Sequence, residues 1–147
     1  MTSAAVAEEV IRFMKADPRR NYKIIIGTDS MRINDRLADF VVAVVVHRVG
    51  NGGRYFWRRS EISRFLTLRD RIIQEVVISL DTAKEILGHL RTFQAPKFDF
   101  EIHADIGEKG ETNSMIQEVV GMIRANNFEV KTKPESYAAT KVADRHT

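Results

Sequence analysis

The spacing of hydrophobic positions changes several times along the chain, and each change marks an element. From about residue 3 to 15, Val6, Val10, Ile11, Phe13 and Met14 recur at helical spacing. Pro18 disfavours helical backbone at Asp17, so "ADPRRN" stops this helix. Residues 23–29, "KIIIGTD", are a β-branched apolar run that predicts a first strand ending at Asp29. "MRINDRLA" reads as a polar turn. "DFVVAVVVHRV", residues 39–49, is apolar on both faces and predicts a second strand that is central or well covered. "GNGG" signals a hairpin, and "RYFWRRSEI" follows as a third strand.

A long helix is predicted over residues 67–91, where Ile72, Ile73, Val76, Val77, Leu80, Ala83, Ile86, Leu87 and Leu90 form an apolar face. "FQAPK" breaks it. "FDFEIHADI", residues 98–106, alternates strictly: Phe98, Phe100, Ile102, Ala104 and Ile106 face one way, Asp99, Glu101, His103 and Asp105 the other. After the glycine loop "GEKGE" comes a helix over 112–127, with Thr112 or Asn113 as its N-cap. "FEVKTKP" predicts a fifth strand, and residues 136–147 a terminal helix. The first three strands form an antiparallel meander. Each later strand is reached through a helix, which favours parallel pairing and a right-handed crossover. The expected fold is α/β: a mixed five-stranded sheet flanked by helices, with the helix of residues 1–17 appended. No repeat or long linker divides the chain, so residues 1–147 are expected to form one domain.

Composition narrows the chemistry. There is no cysteine, which removes disulfides, zinc–thiolate sites and thiol nucleophiles. No apolar run approaches the roughly 20 residues that span a bilayer, and Glu8 and Glu9 interrupt the N-terminal apolar pattern. A soluble cytoplasmic protein without membrane association is expected. The net charge of +3 is too small to name a partner, but its distribution is uneven. Arg54, Arg58, Arg59, Arg64, Arg69 and Arg71 crowd one span, interleaved with Tyr55, Phe56, Trp57 and Phe65. Such a span either grips phosphates and stacks bases or is a solvated strand face over a core.

Four carboxylates stand out. Asp29 ends the first strand, Glu75 lies in the first half of the long helix, Asp105 ends the fourth strand and Asp144 lies in the last helix. Taken singly, each has an ordinary explanation as a turn residue or a solvated helix position. Taken together they do not. If the first and fourth strands are parallel neighbours, Asp29 and Asp105 meet at their C-terminal ends. Adjacent carboxylates repel unless a cation neutralises them. A hard divalent ion with oxygen ligands is the natural partner. Two such ions about 3.5–4 Å apart can clamp the attacking and leaving oxygens of a phosphodiester.

With these elements and acids, "IIIGTDS", "RIIQEVVISLDTA", "EIHADIG" and "KVADRHT" resemble the four acidic motifs of the ribonuclease H-like superfamily. "GTDS", "HADIGEKGET" and "KPESYAATKVADRHT" are similar, more narrowly, to its YkuK-type branch of predicted ribonuclease H-related nucleases. The resemblance implies that Asp29, Glu75, Asp105 and Asp144 hold two magnesium or manganese ions, and that the substrate is nucleic acid. Asp70 shares the long helix with Glu75; the apolar run after Glu75 favours the latter. His103 shares a strand face with Asp105 and either serves catalysis or packs against the last helix. Arg58, Arg59, Arg64 and Lys109 are candidate nucleic-acid contacts. Lys131, Lys133 and Lys141 are candidate contacts to the nucleic-acid backbone, though they read first as a solvated face. The alternative function is a nucleic-acid- or protein-binding module without turnover.

Overall fold

The computed structural model describes residues 2–107, 110 and 112–133. The elements run α1 (Ser3–Lys15), β1 (Tyr22–Arg32), β2 (Leu37–Arg48), β3 (Gly53–Arg64), α2 (Leu68–Thr92), β4 (Asp99–Gly107), a 3-10 turn (Asn113–Met115), α3 (Ile116–Ala125) and β5 (Glu129–Lys133). The terminal segment 136–147, with Asp144, and Lys109 lie outside the described residues.

The strands form one sheet in the order β3-β2-β1-β4-β5. β1, β2 and β3 pair antiparallel, whereas β4 runs parallel to β1 and β5 parallel to β4. This is the mixed sheet that the hydrophobic pattern predicts. On one face, Ile24, Ile26, Phe40, Val42 and Val44 join the apolar sides of α1, α2 and α3 in a continuous core. Each such side chain contributes roughly 1.5–3 kcal/mol on burial. Val41 and Ala43 point the other way and are also fully buried, so β2 is covered on both faces, as its sequence requires.

The N-terminal helix is fastened by polar contacts as well as by packing. Thr2 caps it by accepting a hydrogen bond from the Ala5 amide. The Tyr22 hydroxyl donates to the Asp17 carbonyl at 2.6 Å and accepts from Arg48 Nε at 3.0 Å. Arg48 also donates to the Phe13 carbonyl at 2.7 Å and lies 4.0 Å from the centre of the Phe13 ring. Helix end, strand start and hairpin stem thus share one guanidinium.

Two boundaries differ from the sequence expectation. β1 does not stop at Asp29 but continues in register with β2 from Asp29↔Val41 to Arg32↔Ala38. The turn shrinks to residues 33–36, where Asn34 Oδ1 accepts from the amides of Arg36 and Leu37. Polar residues at an exposed hairpin tip look like a turn although their backbone is still paired. α3 begins at Ile116, after the 3-10 turn, and Thr112 makes no side-chain cap.

Candidate functional site

The parallel ladder between β1 and β4 runs from Lys23↔Asp99 to Gly27↔His103 and stops. Both strands continue. Asp29 and Asp105 each stand two residues beyond the last pair, so strand alternation sends them to the same side. Crevices beyond the carboxyl ends of parallel strands are where open α/β sheets hold ligands. Asp29 lies in paired strand opposite Val41, which removes its reading as a turn cap.

The residues flanking Asp29 have a different task. Thr28 Oγ1 shares a buried hydrogen bond of 2.7 Å with Ser79 Oγ, and Ser30 Oγ donates to Glu75 Oε2 at 2.5 Å. Glu75 and Ser79 are one helical turn apart, and Thr28 and Ser30 are one strand repeat apart, so "GTDS" clips β1 to α2 by two hydroxyls. The same clip orients Glu75, which is only 6% exposed. Burial pushes its carboxyl well above the ordinary 4.5; the Ser30 bond opposes this, the charges of Asp29 and Asp105 add to it, and Arg71 opposes it. Glu75 therefore feels the charges of both Asp29 and Asp105. Asp70 does other work: its carboxylate accepts from the Leu66 amide at 2.9 Å while Thr67 Oγ1 accepts from the Asp70 amide, which closes the start of α2.

Asp105 Oδ1 lies 2.9 Å from Lys133 Nζ. The Lys133 ammonium is favoured by its bond to Asp105, which with the charges of Asp105, Asp29 and Glu75 outweighs partial burial and raises its pKa. Glu75, Asp105 and His103 line one small crevice between the sheet and α2. His103 is 4% exposed, with Nε2 at 2.8 Å from Glu101 Oε1. Its Nδ1 is buried without a hydrogen-bond partner among the described residues. Burial lowers its pKa despite Glu101, so the ring is neutral at pH 7, and the bond to Glu101 favours the proton on Nε2.

Carboxylates backed by hydroxyls form an all-oxygen donor set, which suits a hard divalent cation. Glu75, driven towards its neutral form chiefly by burial and further by the charges of Asp29 and Asp105, is the group such a cation would ionise. Among the described residues no three His, Cys, Asp or Glu side chains converge closely enough to hold an ion as they stand. Glu75 is turned onto Ser30 and Asp105 onto Lys133.

The arginine-rich strand does not form one patch. Successive residues of β3 face opposite ways: Arg58 lies 3.8 Å from Glu85 of α2, whereas Arg59 makes a two-pronged pair with Asp39 on the other face, at 2.7 and 3.0 Å. The Arg59 guanidinium is thereby held charged, chiefly by that hydrogen bond and by the Asp39 charge. Cross-strand register puts Arg59 in one row with Val41 and Asp29. Arg64 is exposed at the end of β3. Of the aromatics, Phe65 is buried, while Tyr55 and Trp57 are 53% and 42% exposed. Sequence reasoning missed Ser30 and Glu101 as members of the site, and it named Lys133 only as a candidate contact to the nucleic-acid backbone or a solvated residue, not as a partner of Asp105. The Ser in "GTDS", two residues from Thr28, was the one available signal, since period-2 spacing places both hydroxyls on one strand face.

The family model described as ribonuclease H-like matches residues 5–147. A Bacillus subtilis (strain 168) protein named "Uncharacterized protein YkuK" is 37% identical over 158 aligned residues, covering 100% of this chain and 91% of that protein. Among solved structures, the catalytic domain of Mos1 transposase, in a structure with raltegravir and Mg, aligns at 9% identity and a TM-score of 0.33, over 98% of this chain and 69% of that one.

Proposed function

Because the chain belongs to the ribonuclease H-like family, we propose that it is a divalent-metal-dependent nuclease that hydrolyses phosphodiester bonds. Asp29, Glu75 and Asp105 are its metal ligands, with Asp144 as the fourth. The observation that supports this reading is that Asp29 and Asp105 each stand two residues past the point where the β1–β4 ladder stops, with the charges of both acting on the buried Glu75 carboxyl. Two magnesium or manganese ions, when bound, supply a more acidic attacking water and neutralise charge on the leaving oxygen.

The chain's own residues do the rest. β1 is paired with β2 past Asp29, so that carboxylate has a rigid backbone. The Thr28–Ser79 and Ser30–Glu75 bonds fix α2 against it. His103 is kept neutral by burial, so it can orient a water or accept a proton at Nδ1 but cannot cancel the carboxylate charge. Arg59, in the cross-strand row of Asp29, together with Arg58, Arg64 and Lys109, contacts the phosphate backbone. Hydrolysis forms a bond from the water oxygen to phosphorus and breaks the bond from phosphorus to the leaving oxygen, which takes up a proton.

A second reading, a binding module without turnover, is favoured by one observation: Lys133 already neutralises Asp105. One experiment separates the two. Labelled RNA, DNA, hybrid and junction substrates are incubated with wild type or Asp29→Asn in magnesium, manganese or chelator. The nuclease reading expects cleavage by wild type, falling at least about 100-fold in Asp29→Asn and vanishing in chelator. Undiminished cleavage by Asp29→Asn would remove Asp29 from the site. Chelator-resistant binding without cleavage by wild type would favour the binding module.

A further inference from the structure

We propose that Lys133 is a built-in counterion of the carboxylate site, which a divalent cation must displace from Asp105. The inference rests on the metal-binding reading above and adds a residue that competes with the metal.

The construction of β5 carries it. The β4–β5 ladder runs from Glu101↔Glu129 to His103↔Lys131, is interrupted, and resumes at Gly107↔Lys133. Without interruption, two steps beyond His103↔Lys131 would pair residue 133 with residue 105. The slip instead gives β4 two additional residues, leaves Asp105 inside the interrupted stretch and seats Lys133 beside Gly107. From there the ammonium lies 2.9 Å from the Asp105 carboxylate.

Gly107 shows that this seat depends on close approach. A Cβ added at Gly107 would stand 2.8 Å from the Cβ of Lys133, closer than real side chains allow. Its glycine is what lets the backbone of Lys133 lie there. Register slip, glycine and lysine thus act on one point, the end of β4 that bears Asp105.

The pairing is favourable yet open enough to be broken. The Lys133 ammonium is stabilised first by its hydrogen bond to Asp105, and further by the charges of Asp105, Asp29 and Glu75. Its side chain is 56% exposed and that of Asp105 29% exposed. An ion pair this open is weak, because water and salt screen it. A doubly charged ion with direct oxygen ligands outcompetes it, and the ammonium can swing into solvent on its flexible stem. Metal affinity is therefore set partly by a lysine that ligates nothing.

The test is manganese binding to the full chain, read as free ion by electron paramagnetic resonance. Wild type is compared with Lys133→Met, which keeps the aliphatic stem, and Lys133→Gln, which keeps a hydrogen-bond donor for Asp105. Both variants are expected to bind manganese about three- to tenfold tighter, with the folded state checked by thermal unfolding in chelator. In wild type, magnesium should shift the Lys133 side-chain ammonium resonance towards that of a free lysine. Folded variants with unchanged or weaker affinity, or a magnesium-insensitive resonance in a protein that binds magnesium, would overturn the counterion while leaving the metal site standing. Failure of wild type and both variants to bind manganese would overturn the metal site and the counterion together.

Discussion

A carboxyl group buried beside two other carboxylates is poised between two states, and Glu75 is such a group. Its pKa in the folded protein lies well above the ordinary 4.5, chiefly because burial penalises its charge. Below about pH 4.5 it is neutral in folded and unfolded chains alike, so it carries no penalty. As pH rises towards its folded pKa, the unfolded chain ionises first, and stability falls until the folded group has ionised too. Glu75→Gln, which stays neutral and can still accept from Ser30, should remove this loss. In chelator it should raise the neutral-pH melting temperature by a few degrees, about 1 kcal/mol, with little change at pH 4. Thermal unfolding at both pH values checks this, and a variant less stable at neutral pH would refute it. The acids of this candidate site are legible jointly rather than singly. Asp29 and Asp105 stand out because apolar runs lead into them. Lys133 does not, because its lysine looks like any other on a short alternating strand, and only the slipped register of β4 and β5 brings it to Asp105.

Element boundaries follow local chemistry that a hydrophobic pattern records unevenly. Apolar spacing locates α1, α2 and the alternation of β4, whereas the overrun of β1 and the late start of α3 depend on hydrogen bonds that the pattern cannot show. Both α2 and α3 end in the same motif. At α2, Gln94 N donates to Arg91 O and Ala95 N to Leu90 O; at α3, Asn127 N donates to Arg124 O and Phe128 N to Ile123 O. Each needs a left-handed residue, supplied by Gln94 at φ 52° and Asn127 at φ 65°. Asparagine tolerates this conformation, whereas a long side chain such as glutamine pays a steric cost. Gln94→Gly should therefore stabilise the protein by about 0.5–1 kcal/mol, a rise of a few degrees in thermal unfolding. A destabilised variant would mean that the Gln94 side chain contributes more than its backbone strain costs. Cutting the cap at the other end of α2 with Thr67→Ala should cost about 1 kcal/mol in the same assay.

At the scale of the whole molecule, the sheet order of the described residues places the junction between the antiparallel meander and the parallel strands at β1–β4, and Asp29 and Asp105 each stand two residues past its last pair. The sequence pattern predicts the meander and the parallel pairing of the later strands, because "GNGG" marks a hairpin and each later strand is preceded by a helix, but it leaves the pairing of β1 with β4 as a condition that the register meets. Among the described residues no helix is long and apolar enough to cross a membrane. Charge behaves differently from topology: a cluster of arginines in sequence is divided between two sheet faces in space, and Arg58, Arg59 and Arg69 each face a carboxylate of Glu85, Asp39 or Glu118. With Arg58, Arg59, Arg64 and Lys109 as the proposed contacts, duplex binding should weaken with salt at a log–log slope no steeper than about −3.6. A markedly steeper slope in a fluorescence titration would reveal contacts beyond these four. The central claim is that Asp29, Glu75 and Asp105 act jointly as one divalent-metal site. It is tested most directly by crystals of the protein grown with manganese and measured for anomalous scattering. The account predicts anomalous density within bonding distance of both Asp29 and Asp105, with Glu75 turned from Ser30 towards it. Density elsewhere, or none at saturating manganese with the three carboxylates ordered, would contradict it.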